Sequence, residues 1–442
     1  MPTSLARRGA PRCLALAATL LALVPFPLRA QEGQRLASAL GCGACHAGLP
    51  GAEEIRTRAP VLGPDGETLE VGFIFEYLGD PIVRRPEIAP SRMPDFRLDE
   101  GERLALALYL GKGGAPSPTV EAARQRFPSV DADRGRRIFG VLGCASCHGH
   151  RDVLPAQVGP DLSREGARVL PGWLSAFLAA PTPVRGPAHP AAPGSRMPDF
   201  RLSPDEVAAL SALLSSTGRP RASDPTPLSP FMAARTQHLL VQRLSCLGCH
   251  ETRFGGGGIG PSLVATAERL RPEFVVEMIT DPSRAAPGAP MPHQPLPDAE
   301  ASRVARLLLY TSSRAAPPPP RSLSDPDHPA WSALPDGGGE DEGAALYARH
   351  CGSCHGPEGR GNGWNAGTLP VPPAVHADPE AMGRRPDDTL YDGIHAGGFV
   401  LDGSARMPGF GSLLSDAQIR ALVAYIRVLC ACAQPAWAGG EA

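Results

Sequence analysis

The chain has 442 residues, with 43 basic and 45 acidic side chains, and its formal net charge of −2 leaves no basic footprint for nucleic acid. Charged residues at 20% and hydrophobic ones at 42% give the balance of a globular rather than a disordered chain. Aromatics are only 5%, while 50 Gly and 51 Pro make loops plentiful, so something other than side chains is expected to fill the cores.

The first 30 residues read as an export signal. Arg7, Arg8 and Arg12 precede an apolar run over 14–24, and Ala30 offers a small residue for cleavage. The run is shorter than the ~20 apolar residues of a membrane span. Its removal takes away four arginines and no acids, moving the net charge from −2 to −6. No later stretch is long and apolar enough to span a bilayer, so the mature protein is expected to be periplasmic or otherwise exported, and soluble.

Beyond the signal the pattern is helical, and no convincing strand is seen. Short helices are expected to lead into cysteine motifs, as over 132–143 and 340–350. Middle helices follow, such as 172–180 with Trp173, Leu174, Phe177 and Leu178. Last helices open on capping boxes at Ser203–Glu206 and Ser415–Gln418, with Pro204 suited to the first turn. Over 417–429 the apolar residues Ile419, Leu422, Val423, Ile426 and Leu429 recur at helical spacing. Linkers are expected at 111–118, 218–230 and 315–339, the last stiffened by Pro317–Pro320.

Eight of the 11 cysteines fall in one pattern, Cys-x-x-Cys-His: Cys42, Cys45 and His46; Cys144, Cys147 and His148; Cys246, Cys249 and His250; Cys351, Cys354 and His355. This is the signature of c-type haem attachment. Two thiols three residues apart sit on one helical turn and can add to the two vinyl groups of one haem. The adjacent histidine then lies under the iron as proximal ligand. A redox dithiol or half of a zinc site can share the C-x-x-C core, but neither requires the adjacent His four times over. A C-x-x-C disulfide closes too small a loop to staple a domain.

The first cysteines lie 102, 102 and 105 residues apart, so the period is one small domain. Each unit carries a Met-Pro pair downstream, at Met93, Met197, Met291 and Met407. The octapeptide Ser-Arg-Met-Pro-Asp-Phe-Arg-Leu occurs twice, at 91–98 and 195–202, which marks internal duplication. Pro60, Pro160 and Pro261 are each followed at fixed intervals by leucine, aromatic and proline positions, while unit four departs from these spacings. The four methionines are expected as distal iron ligands, because the following Pro holds the loop out of a helix. A Met can also be core filler, the reading for Met232, Met278 and Met382. His189 and His293 are minor competitors for the distal place.

Each unit resembles a class I cytochrome c domain: helix, Cys-x-x-Cys-His, loop, helix, Met loop, helix. Unit four is most similar to the single-haem domain of respiratory oxidase subunits, through Cys351–Gly359 and Met407–Phe410. The resemblance implies an all-α chain of four tandem small cytochrome c-like domains, each wrapped around one covalent haem c. The expected boundaries are a signal at 1–30, domains at 31–115, 121–218 and 228–315, a linker at 316–339, a fourth domain at 340–433 and a disordered tail at 434–442. It also implies that the carbonyls of Pro60, Pro160 and Pro261 accept a hydrogen bond from the proximal His, with Pro372 or Pro373 serving unit four.

A His/Met iron is closed to small substrates and suited to electron transfer. The expected function is therefore an exported tetrahaem cytochrome, not an enzyme, relaying single electrons between redox partners of a respiratory chain. Those partners are a membrane oxidase, a quinol-oxidising complex or a dehydrogenase, with possible peripheral association with a membrane complex. The alternatives are a haem enzyme, peroxidase-like or acting on sulfur compounds, and a cytochrome subunit of a larger oxidoreductase. Units one to three are expected to pack closely, with unit four reaching outward on its spacer. Cys430 and Cys432 can pair, bridge to another subunit or bind a metal; the sequence does not choose.

Overall fold

The computed structural model describes residues 26–438 apart from 63–68, 82–92, 114–116, 151, 157, 183, 185–195, 220–225, 288, 295, 313–321, 327, 329–340 and 402. Residues 1–25 of the expected signal, His189 and Pro317–Pro320 lie outside the described residues. The fold is all-α, and among the described residues the extended pairing is limited to isolated bridges.

The main helices are α1 (Phe26–Ala39), α2 (Val71–Tyr77), α3 (Glu100–Leu110), α4 (Pro118–Arg126), α5 (Ala132–Val141), α6 (Pro171–Ala179) and α7 (Pro204–Ser215). They continue as α8 (Pro230–Gln242), α9 (Pro272–Thr280), α10 (Asp298–Tyr310), α11 (Glu342–His350), α12 (Asp387–Ala396) and α13 (Asp416–Cys430). Capping boxes start α7 at Ser203 and α13 at Ser415, and a third starts α3, where Asp99 accepts from Glu102 N. In each box the side chains satisfy amides that the first helical turn leaves without a carbonyl.

The packing does not follow the order of the units. α1 lies along α7, and α3 lies along α5. One core joins Ala37 of α1 to Leu162, Leu174, Leu178, Leu210 and Leu214. A second joins Ile74, Phe75, Leu104 and Leu106 to Ile138, Phe139 and Leu142. Each of these two globules therefore takes its haem-motif half from one unit and its methionine half from the other. The contiguous blocks 31–115 and 121–218 are not packing units. The physical reason lies in the short run from Leu110 to Ala132. α3 and α5 are neighbours in sequence and pair with each other, and α1 then meets the equivalent surface on α7. Exchange of identical elements costs little when both copies present the same surface.

The helix crossings depend on close approach. A Cβ on Gly33 would overlap the backbone carbonyl of Ala209, one on Gly135 that of Ala105, and one on Gly343 that of Ala421. A glycine inside a helix costs about 0.5–1 kcal/mol relative to Ala, and here that cost lets two helix backbones meet.

The duplicated octapeptide is explained by its partner, which is its own copy. Asp95 and Asp199 exchange backbone hydrogen bonds at 2.8 and 2.7 Å. Asp95 Oδ1 accepts from Arg97 N and Asp199 Oδ1 from Arg201 N, both at 2.7 Å. Arg97 and Arg201 share a left-handed backbone, with φ of 49° and 51°. The two copies thus face each other about a local two-fold axis. Arg196 pairs with fully buried Glu102 at 2.5 Å, tying one copy to the cap of α3.

Unit three closes on itself, with α8, α9 and α10 around Leu240, Leu247, Val275, Ile279, Val304 and Leu307. Unit four does likewise, with α11, α12 and α13 around Tyr347, Met382, Ile394, Ile419 and Leu422. Two expectations about the connections are corrected. The described part of the linker is not a free spacer, because buried Leu323 joins the α3–α5 core and its amide donates to Glu102 Oε1 at 2.7 Å. Unit four is docked rather than held out, since Asn365 donates to Gly248 O at 3.0 Å and Ser412 Oγ accepts from His293 N at 3.0 Å. The tail is ordered as far as a short 3-10 turn at Ala436–Ala438, and Gln434 Oε1 accepts from Asp387 N at 3.3 Å.

Candidate haem-attachment sites

Each cysteine motif follows the helix that leads into it, and its backbone turns tightly. In all four, the histidine amide donates to the first cysteine's carbonyl, at 2.8 to 3.0 Å, so both thiols and the imidazole emerge from one turn. Burial pushes the thiols of Cys42, Cys45, Cys144, Cys249 and Cys351 up to about 12 and that of Cys246 to about 11. A redox dithiol needs a lowered thiol pKa, so these pairs are poorly suited to thiolate chemistry.

Every motif histidine donates from Nδ1 to one backbone carbonyl. His46 bonds Pro160 O at 3.0 Å, His148 bonds Pro60 O at 3.0 Å and His250 bonds Pro261 O at 2.8 Å. The prolines are those expected, but for His46 and His148 they are exchanged between units one and two. In unit four the acceptor is Ala374 O at 2.9 Å, not Pro372 or Pro373. Burial pushes the imidazoles of His148, His250 and His355 below their ordinary range, which favours the neutral form. A neutral imidazole with its Nδ1–H engaged presents Nε2 as a metal ligand of fixed orientation. The fit is tight enough to exclude a methyl group: a Cβ on Gly159 or Gly260 would overlap the ring of His46 or His250.

A cavity of about 540 Å³ opens in front of two of these histidines. Its lining includes Cys42, Cys45, His46 and Met197, and also Cys246, Cys249, His250 and Met291. Met197 therefore stands in the globule of the first motif, packed on the same core as Cys42. Met93 leads into α3, which packs on the α5 helix of the second motif. Met407 is held by its own loop, its carbonyl accepting from Gly398 N at 3.2 Å. Met278 also lines the cavity from α9, and Met382 is core in unit four. The walls are mainly apolar, yet Arg168 and Arg196 reach them, and each has a buried Nε with no hydrogen-bond partner. An apolar slot with paired thiols, an oriented imidazole, a thioether and unsatisfied guanidinium nitrogens fits a haem: a flat apolar ring that carries two acidic side groups.

Several residues escaped sequence reading. Gly33 and Gly135 each stand nine positions before the first cysteine of their motif, a signal visible in the sequence. Asn365 is fully buried between units three and four, where it accepts from Gly258 N at 3.1 Å, donates to Gly248 O and reaches Cys354 Sγ at 3.5 Å. His376 stacks on His355, with ring centroids 4.0 Å apart, and its Nδ1 bonds the Tyr347 hydroxyl at 2.9 Å. Neither position carries a motif. Cys430 and Cys432 form a disulfide with each other.

Residues 132–218 match the family described as cytochrome c, and residues 339–426 match cytochrome C oxidase, cbb3-type, subunit III. These two segments are cytochrome c domains. They imply covalent haem c. The first of the two domains is continuous in sequence but divided in space, since α5 packs with α3 and α7 with α1. No curated protein matches the chain. Among solved structures, a chain of the reducing HAO-like protein complex of Kuenenia stuttgartiensis aligns at 22% identity over 36% of this chain and 72% of its own. Its TM-score of 0.17 gives that likeness no weight. Among the described residues, no helix is long and apolar enough to cross a membrane.

Proposed function

We propose that the protein is an exported tetrahaem c-type cytochrome that relays single electrons between redox partners of a respiratory chain. The observation that carries this reading is the fourfold repetition of one arrangement: a paired-thiol turn whose histidine is aimed by a single backbone carbonyl. Cys42 and Cys45, Cys144 and Cys147, Cys246 and Cys249, and Cys351 and Cys354 would hold the haems. His46, His148, His250 and His355 would each supply an iron ligand. Met197 would serve the same iron as His46, Met93 that of His148, Met291 that of His250 and Met407 that of His355. Haem c held in this way supplies a one-electron iron couple.

The chain's own part is to keep each site closed and unchanging. The Nδ1 bonds fix the imidazole planes, and the cavity in front of His46 and His250 has mainly apolar walls. The Met-Pro loops occupy the place where a small substrate would bind. A site that changes little on reduction has little to reorganise, which suits transfer rather than catalysis. The partners proposed are a membrane oxidase, a quinol-oxidising complex or a dehydrogenase, with the unit matching an oxidase subunit family favouring the first.

The test uses the exported holoprotein. Its mass should exceed that of the processed chain by four haems, which acid–acetone extraction leaves in place. All four irons should be low-spin and unreactive to carbon monoxide. Stoichiometric carbon monoxide binding by the unsubstituted protein would replace the relay reading with that of a haem enzyme.

A further inference from the structure

The four attachment motifs have neighbours in space that differ from their neighbours in sequence. The first and second stand side by side: Arg56, in the short helix Ala52–Arg58 that packs on the first motif, donates to Ser146 O of the second at 3.1 Å. This contact alone does not show which of the two motifs faces the rest of the chain.

The third unit decides that question. Its segment at 269–271 pairs antiparallel with 168–170, Leu170 N donating to Arg269 O at 2.9 Å and Arg271 N to Arg168 O at 3.0 Å. Arg271 Nε also reaches Gly166 O at 2.8 Å, and Arg164 pairs with buried Glu277 at 3.1 Å. In sequence these contacts join unit three to unit two. In space, however, residues 160–178 belong to the globule of His46, because Pro160 O accepts from His46 and Leu162 and Leu174 pack in the core of α1. The continuous cavity agrees, since its lining includes the first and third motifs together. Asn365 then joins the third motif to the fourth through Gly248 O, Gly258 N and Cys354 Sγ.

We infer that the attachment motifs follow one another in the spatial order second, first, third, fourth. The motif at His148 stands at one end of the row and that at His355 at the other, with His46 and His250 inside. Resting on the relay reading above, this makes His148 and His355, not His46 and His355, the two ends at which partners exchange electrons. Tunnelling falls exponentially with distance, so transfer within the protein follows spatial neighbours. The first haem attached in sequence is thereby an internal one.

The test reads equilibrium potentials in the full holoprotein and does not depend on turnover. Cys45→Ala and Cys147→Ala each leave one haem held by a single thioether. The surviving vinyl group extends the conjugated ring and moves that haem's α band to longer wavelength, which labels it. Met291→Ala, added to each, opens the third iron, and carbon monoxide then locks it in the reduced state. A locked neighbour shifts the midpoint of the labelled haem by its changed charge. Carbon monoxide should shift the labelled midpoint in the Cys45→Ala/Met291→Ala protein and leave it in place in Cys147→Ala/Met291→Ala. The opposite pattern, equal shifts in both, or no shift in either would overturn the order.

Should the single-thioether variants fail to mature, anomalous scattering from crystals of the unsubstituted holoprotein gives the four iron positions directly. The iron nearest the third should then belong to the haem on Cys42 and Cys45; one on Cys144 and Cys147 would overturn the inference. Failure of the relay reading shows separately, as carbon monoxide binding before any substitution, and leaves the order measurable.

Discussion

Replacing Asn365 by Ala should loosen the junction between the third and fourth motifs while leaving every proposed iron ligand in the sequence unchanged. The side chain is fully buried and spends both ends of its amide across the junction, accepting from Gly258 N at 3.1 Å and donating to Gly248 O at 3.0 Å. Each neutral hydrogen bond contributes about 0.5–1.5 kcal/mol, and each buried group left without a partner costs about 1–3 kcal/mol instead. Two such groups are orphaned, and partial access of water reduces the full penalty, so the expected loss is about 2–4 kcal/mol. The Asn365 amide bond to Ser353 O at 2.9 Å is backbone and survives the substitution, so unit four should keep its own fold. Hydrogen exchange followed by mass spectrometry reads the junction locally, which matters in a chain of several cores where no single unfolding transition exists. Protection in the peptide spanning 246–260 should fall roughly 30- to 800-fold, the equivalent of that energy. Peptides from α13 should be unchanged. Protection at 246–260 within threefold of the parent would show that Asn365 does not hold the junction, and the argument from buried amide pairing would fail.

Met197→Ala should open one iron of the four, seen as a high-spin ferric signal and one carbon monoxide bound per chain; more than one would mean that the shared cavity collapses. In Gly260→Ala the added methyl displaces the His250 ring and weakens its bond to Pro261 O. A less basic imidazole stabilises ferric iron less, so one midpoint should rise in a spectroelectrochemical titration, and four unchanged midpoints would contradict this. Glu102→Ala leaves Arg196 and the Leu323 amide without their buried partner. It should destabilise the α3–α5 globule by about 3–5 kcal/mol, read as lost hydrogen-exchange protection in peptides from α3 and α5, whereas a loss under about 1 kcal/mol, the net worth of a single hydrogen bond, would mean that the strap at 322–325 contributes little.

Much of the site is visible in the chain itself. Four Cys-x-x-Cys-His motifs, four Met-Pro pairs and three prolines at fixed intervals are local patterns, and local patterns survive any arrangement of the larger pieces. Helix positions and caps are equally local: the expected helix at 417–429 is observed as Asp416–Cys430, with the capping box at Ser415. The acceptor in unit four was misplaced by one or two residues because the three-proline column does not extend there, and any carbonyl of suitable position serves. Asn365 and His376 were invisible because each acts across a junction or on a ring that only folding brings near.

What the sequence by itself determined is the pattern of each unit: two cysteines and a histidine on one turn, and a downstream Met-Pro loop. It could not determine which half meets which. Units one and two offer the same residues at the same columns, Gly33 and Gly135, Pro60 and Pro160, Met93 and Met197, so closure within a unit and exchange between units satisfy the same pattern. The tertiary structure decided it, because α3 and α5, close along the chain, pack on each other and leave α1 to find α7. The paired octapeptides record that choice, since two identical segments related by a two-fold axis complete each other's backbone hydrogen bonds.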